Sequence, residues 1–282
     1  MEVPDDPKFN PYQAPVVAST SIGTDGSDAT YVKGGRGVDA GEGLEWIMSA
    51  WRLFMEAPMM WIVMILLYAM FYVVLAILPG IGSLLGYLLY GVIGAGWLAA
   101  AHAVASGEKL EIDYLFAGFK SRTGPLFVLG AIYAGGLITI LVLMAIFLAI
   151  GLGASGAIGA ILSGDSSQFS SIAGTSIVTF MFAALIGLAL LAPLMMALWF
   201  APALVFFHNE PPMDALKISF FACLKNMLPF LVYGVVMVIL VVLAAIPLML
   251  GFLIVGPMAL ISSYTSYRSL FEEGAQQRTP ST

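Results

Sequence analysis

Long apolar runs broken at short polar intervals dominate the chain from residue 58 onward. A bilayer core of about 30 Å needs about 20 apolar residues at 1.5 Å each, and that rule divides the runs. Residues 59–79 make one span, opened by Pro58 and closed by Pro79-Gly80, and residues 82–105 make a second. Residues 125–150 make a third. A fourth runs over 176–207, too long for one perpendicular crossing and too short for two. Pro193 and Pro202 predict that it is one kinked or tilted helix that overshoots the bilayer. Residues 228–271 are too long for one span and right for two, 228–247 and 251–271, with Pro247 and Gly251 at the break.

The flanking segments differ in kind. Residues 1–41 are rich in Pro, Gly, Ser, Thr and Asp, lack hydrophobic periodicity, and predict a disordered acidic tail. In residues 42–57 the polar positions Glu42, Glu45, Ser49, Arg52 and Glu56 recur every three or four residues among Trp46, Trp51 and Phe54. That narrow polar stripe predicts an interfacial helix with its aromatic face in the lipid. Residues 272–282 predict a second disordered tail. Residues 151–175 stay open: the third helix extends, or a short helix lies on the outer surface.

Composition supports the membrane reading. Hydrophobic residues make up 60% of the 282 and charged residues 10%, and the mean hydropathy is +0.97. Soluble domains run near 45–50% and about 25%. A soluble enzyme and a nucleic-acid binder are thereby excluded. Basic residues supply a second test through the positive-inside rule. All 11 Lys and Arg fall in four segments: before the first span, between the second and third, between the fourth and fifth, and at or after the end of the sixth. The turns near 80 and 250 and the loop 151–175 hold none. Six spans with both termini cytoplasmic explain this placement. Of the net charge of −6, most of the acidity lies before residue 58, so the N-terminal arm suits neither nucleic acid nor anionic lipid.

The inner loops resemble one another. Phe116-Ala117-Gly118-Phe119-Lys120 precedes Pro125, Val128 and Gly130, and Phe221-Ala222-Cys223-Leu224-Lys225 precedes Pro229, Val232 and Gly234. A weaker copy is Ala50-Trp51-Arg52 before Pro58. The pattern predicts three repeated units, each an interfacial helix, a proline and a transmembrane hairpin. A proline at a helix start loses no hydrogen bond.

One block is specific enough to carry a resemblance. Trp199-Phe200-Ala201-Pro202-Ala203-Leu204-Val205, then His208, Pro211-Pro212, Ala215-Leu216-Lys217, Ser219-Phe220, Ala222-Cys223 and Asn226 resemble an uncharacterised family of six-helix proteobacterial inner-membrane proteins. The ending Ser263-Tyr264-Thr265-Ser266-Tyr267-Arg268 is similar too. The resemblance covers residues 42–271 and implies a bacterial inner-membrane location without an activity. More remotely, the layout is similar to the membrane domain attached to some glycerophosphodiester phosphodiesterases. Ser269 stands where the family commonly has an acid after the Arg, which puts a terminal ion pair in doubt.

Candidate chemistry is sparse. No Asp, Glu, Lys or Arg lies in the middle of a predicted span, where such groups usually mark ion or proton pathways. Cys223 is the single cysteine, which excludes a disulfide within the chain. It reads as a small buried hydrophobe. His102 and His208 end the second and fourth spans and have the chance to meet, but with Glu210 as the one close acid they make a poor metal set. Gly91, Ala95, Ala99 and Ala103 form a small-residue stripe for close helix packing within the chain or in a homo-oligomer. Tyr264 and Tyr267 suit an aromatic belt at the interface, or a polar patch that grips a headgroup with Arg268.

The expectation is an all-α polytopic membrane protein with no cofactor and no enzyme activity, organising lipids or a cytoplasmic or membrane protein partner. Lys120, Arg122, Lys217, Lys225 and Arg268 are its candidate lipid-headgroup ligands. The alternative is a transporter or channel for a small or lipid-like solute.

Overall fold

The computed structural model describes residues 30–154, Gly156 and residues 169–273. What the sequence predicts for residues 1–29, for 274–282 and for most of 151–175 lies outside them. Helix α1 (Glu42–Glu56) lies before Pro58, which opens α2 (Pro58–Ala76). Gly80, at φ 77°, turns the chain into α3 (Ile81–Leu88) and α4 (Tyr90–Ala105); a side chain is disfavoured in that left-handed region. A 3₁₀ turn (Ile112–Phe116) and the short α5 (Ala117–Lys120) lead to α6 (Thr123–Ala154). Then follow α7 (Phe169–Trp199), α8 (Ala201–His208), α9 (Pro212–Lys225), α10 (Met227–Ala245) and α11 (Phe252–Phe271). Two short strands, β1 (Thr30–Tyr31) and β2 (Glu272–Glu273), pair antiparallel. Order therefore starts at least eleven residues before the predicted boundary at 41, and Glu272–Glu273 belong to the fold rather than to a tail.

Among the described residues four helical stretches are long and apolar enough to cross a membrane: Pro58–Ala76, Thr123–Gly153, Ser176–His208 and Met227–Ala245. Their mean hydropathy runs from 2.4 to 2.8. The pair α3 and α4, bent by 48°, makes a fifth if it is one span. The number supported by length and composition is thus four or five, against the six expected. The sixth candidate, α11, is apolar only in its first half; its second half carries Ser262, Ser263, Tyr264, Thr265, Ser266, Tyr267 and Arg268.

The bend at Leu89 has a packing reason. A Cβ on Gly130 would stand 1.9 Å from the Leu88 carbonyl oxygen, and one on Gly91 would stand 2.4 Å from that of Leu126. Backbones this close exclude any larger residue, and the bend keeps both α3 and α4 against α6. The small-residue stripe of α4 is spent inside the chain: Gly91, Ala95 and Ala103 are buried and Ala99 is half-buried.

The core sits at one end, here termed basal, where α2, α6 and α10 begin and α4, α8 and α11 finish. Trp46, Trp61, Phe200, Tyr264, Tyr267 and Phe271 are fully buried there. Toward the opposite end, Leu141, Leu185, Val238 and Ile246 are exposed. Apolar side chains that face outward along four long helices need an apolar solvent. The aromatic face of α1 does not enter lipid as expected. Trp46 is 1% exposed and packs edge-on against Phe230 at 5.1 Å, and Phe54 is buried as well; only Trp51 faces out. Gly43 permits this, because a Cβ there would lie 2.1 Å from the Pro229 carbonyl oxygen.

The overlong fourth segment is broken at Phe200, between α7 and α8. Pro202 has no N–H to give the Leu198 carbonyl, and the Tyr90 hydroxyl donates to that oxygen at 3.3 Å. The Phe200 N–H donates instead to Ser219 Oγ at 2.9 Å, and Ser219 Oγ donates to the Met196 carbonyl at 2.7 Å. One hydroxyl from α9 is thus spliced into the position of a helical hydrogen bond. Replacing Ser219 by Ala strips a partner from a buried N–H and from a carbonyl. A loss of about 1–3 kcal/mol follows, measurable as a lower thermal unfolding midpoint in detergent; an unchanged midpoint would refute the splice.

Candidate functional site

Residues 30–41 form a strap across the basal end. The last carbonyls of any helix lack intrahelical partners, and the strap supplies them for α11. The Val32 N–H donates to the Phe271 carbonyl and the Arg36 N–H to the Leu270 carbonyl, both at 2.9 Å, while Arg36 Nε donates to the Ser269 carbonyl at 2.6 Å. Asn226, buried after α9, grips the same strap from the other side. Its Oδ1 accepts from the Val38 N–H at 2.8 Å, and its Nδ2 donates to the Arg36 carbonyl at 3.0 Å and the Ala222 carbonyl at 2.9 Å. Gly35, at φ 70°, fits between Phe271 and Ala222, where a Cβ would approach both to 3.2–3.3 Å.

Both histidines reach this end and each takes a tyrosine of α11. His102 Nδ1 shares a hydrogen bond of 3.0 Å with the Tyr264 hydroxyl, and His208 Nε2 shares one with the Tyr267 hydroxyl. The Phe207 ring stands between, 5.3 Å from His102 and 5.5 Å from Tyr267 between centroids. The two histidines therefore join one aromatic layer without touching. Tyr31 of the strap stacks on His208 at 3.7 Å and 15°. Its hydroxyl donates to Glu210 at 3.4 Å, and Lys33 pairs with the same carboxylate at 3.2 Å. Burial, reinforced by the Glu210 charge, pushes the Tyr31 phenol up to about 12, so it keeps the proton it donates. Among the described residues no three His, Cys, Asp or Glu side chains gather as a metal-ligand set. Tyr264 and Tyr267 are each 1% exposed. They are interior residues rather than the interfacial belt expected, because the strap, α4 and α8 cover α11 on the sides they occupy.

The five basic residues singled out in the sequence divide into two groups. Lys120 pairs with Asp113, and Lys217 lies 3.8 Å from Asp214; both stay exposed, as do Arg122 and Lys225. Exposed pairs of this kind are worth about 0–1 kcal/mol, so a phosphate competes with them readily. Arg268 is half-buried, and its Nε donates to Glu272 Oε2 at 2.9 Å. The terminal ion pair put in doubt at Ser269 is made by Glu272, four residues after the Arg. Ser269 donates to Glu42 of α1 instead, at 2.9 Å.

Sequence reasoning missed the strap, Ser219 as a splice and Asn226 as a clamp. Tyr31-Val32, with Val38 beyond three glycines, was the available signal for the strap, and it is weak within a polar segment.

Two outcomes follow from this geometry. Burial pushes the Cys223 thiol up to about 12, opposed by the Ser219 hydroxyl, and the side chain is 3% exposed. A raised pKa keeps the thiol protonated at neutral pH, and the thiolate is the reactive form. Cys223 should resist a water-soluble maleimide at pH 7.5 and react once the chain is denatured; fast labelling of the folded protein contradicts the burial. Second, Asn226→Ala removes two of the hydrogen bonds that hold the strap to the end of α9, leaving the exposed one from Lys225 Nζ to the Gly35 carbonyl at 3.4 Å. The strap should then be cut by added protease at least several-fold faster in limited proteolysis; an unaltered cleavage rate would show that Asn226 is not the clamp.

Comparison with known proteins adds an identity to this geometry. No protein-family model matches the chain, and no solved structure matches it. A curated protein of Burkholderia thailandensis, named a probable inner membrane protein, is 30% identical over 264 residues. The match spans 87% of this chain and 97% of that relative. The remote likeness to the membrane domain of glycerophosphodiester phosphodiesterases finds no support in these matches. With the apolar helices above, this relationship places the chain in an uncharacterised family of bacterial inner-membrane proteins.

Proposed function

We propose that the chain is a non-enzymatic protein that organises phospholipid at the cytoplasmic face of the bacterial inner membrane. One observation carries the reading: Lys120, Arg122, Lys217 and Lys225 stand exposed on the basal end, while His102 and His208 are engaged with Tyr264 and Tyr267 of α11. A basic side chain near an anionic leaflet gains about 1 kcal/mol. In this reading the basal end is cytoplasmic and holds both termini. The chain crosses the bilayer six times, with α11 as the last crossing and its polar half in the basal core. Three repeated units complete the reading: α1, α5 and α9 each precede a hairpin, with Pro58, Pro125 and Pro229 in the first turn of α2, α6 and α10. Arg268 is left out of the headgroup set because Glu272 neutralises it.

A transporter has less to rest on. Two surface grooves, one beside α1 and one beside α7, α9 and α10, are lined almost wholly by apolar side chains. The test is the lipid composition around the protein in polymer-excised nanodiscs from membranes of defined phosphatidylethanolamine and phosphatidylglycerol content. The wild type should enrich phosphatidylglycerol, and Lys120→Gln, Arg122→Gln, Lys217→Gln and Lys225→Gln combined should return the ratio to that of the bulk membrane. Enrichment that survives all four substitutions overturns the proposal.

A further inference from the structure

An open groove of about 600 Å³ runs between α1, α10 and α11, within the roughly 300–1,000 Å³ typical of small-molecule sites. Trp51 and Arg52 of α1, Val236 and Leu240 of α10, and Val255 and Met258 of α11 line it. Val236 and Leu240 lie about 14–20 Å along α10 from Met227 at 1.5 Å per residue, so the groove descends from the interface toward mid-bilayer depth. Leu44, Met48, Trp51 and Met55 stand exposed along the neighbouring edge of α1. Four large apolar side chains facing outward beside a groove of that depth suit hydrocarbon, not water.

The mouth of the groove has a defined charge pattern. Arg52 Nη2 donates to Ser49 Oγ at 2.9 Å and lies 3.8 Å from Glu45 Oε2. Glu56 continues the same stripe one turn on, also exposed. A single guanidinium, flanked by two carboxylates in water, matches a headgroup that carries one phosphate and one protonated amine. The phosphate would take the Arg52 fork, which favours oxyanions bidentately, and the ammonium would take Glu45 or Glu56. A headgroup of net charge −1 without an amine would deepen the stripe's negative charge and leave both carboxylates without a cation from the lipid. A quaternary ammonium would offer no N–H to the carboxylates.

We infer that this groove is a binding site for one zwitterionic, primary-amine phospholipid, its acyl chain along α10 and α11 and its headgroup across Arg52 and Glu45. The inference deepens the lipid-organising reading by adding a specific lipid that uses none of the four exposed basic residues invoked there.

The experiment is native mass spectrometry of the full-length protein in detergent, with phosphatidylethanolamine, phosphatidylcholine or phosphatidylglycerol titrated in. One phosphatidylethanolamine should be retained about tenfold more strongly than either competitor, the scale of one charge-assisted hydrogen bond. Arg52→Gln, at an exposed position, should lose that preference. Val236→Trp should lose binding by filling the groove while leaving Arg52 and Glu45 unaltered, and Val238→Trp, on the exposed side of α10, should bind as the wild type. Equal retention of phosphatidylcholine, or undiminished retention by Arg52→Gln, overturns the inference. The quadruple Gln variant should still retain phosphatidylethanolamine, so failure of the phosphatidylglycerol result and failure of this one are separable.

Discussion

An apolar solvent around the helices is the constraint from which the rest of the structure follows. The membrane-length helices bury between 0% and 17% of their most apolar windows inside the protein. In lipid, apolar area gains nothing by moving from the bilayer to a neighbouring helix, so association must come from close packing and polar contacts. The chain uses both. Gly91 and Gly130 let α3 and α4 lie backbone to backbone with α6, and Gly43 does the same for α1 and α10. Hydroxyl and amide side chains supply the rest, concentrated at the basal end.

The same solvent makes every interruption of a helix an accounting problem, since a bared N–H or C=O has no water to turn to. The break at Phe200 is met by Ser219 and Tyr90, each from a different helix. The end of α11 is met by the strap. Buried Ser262 likewise meets the Tyr233 hydroxyl at 2.7 Å, and the Thr265 hydroxyl donates to the Trp46 carbonyl at 2.8 Å. These contacts connect segments far apart in the chain. The polar residues of α11 are therefore the basal core's adhesive, and that explains why a helix with an apolar first half ends in a run of Ser, Thr and Tyr.

This arrangement separates two populations of polar groups at one end of the molecule. His102, His208, Tyr264, Tyr267 and Arg268 are committed to partners within the fold and hold its shape. Lys120 and Lys217 make exposed pairs with Asp113 and Asp214, Arg122 is exposed, and Lys225 donates from the surface to the Gly35 carbonyl of the strap at 3.4 Å. Within the first population Tyr264 and Tyr267 are buried, His208 and Arg268 half-buried and His102 exposed.

Much of the architecture was legible in the one-dimensional pattern. Membrane-length apolar runs, Pro58 at a helix start, the break at Pro247–Gly251 and the burial of Cys223 all follow from spacing and composition, because lipid exposure imposes long continuous apolar stretches that need no knowledge of neighbours. The sixth run gave a mixed signal: only the first half of α11 is apolar, and its polar second half has protein as its environment. Trp46, Phe54, Tyr264 and Tyr267 were assigned to the lipid interface for the same reason, since an aromatic side chain reads alike whether it faces a headgroup or another helix. The clamp at Asn226, the splice at Ser219, the bend at Leu89 and the strap over residues 30–41 were decided only by the tertiary structure. Each is a bond or a close approach between segments distant in sequence. Periodicity reports the solvent around a helix, and it carries no record of which backbone group a distant hydroxyl or amide will meet.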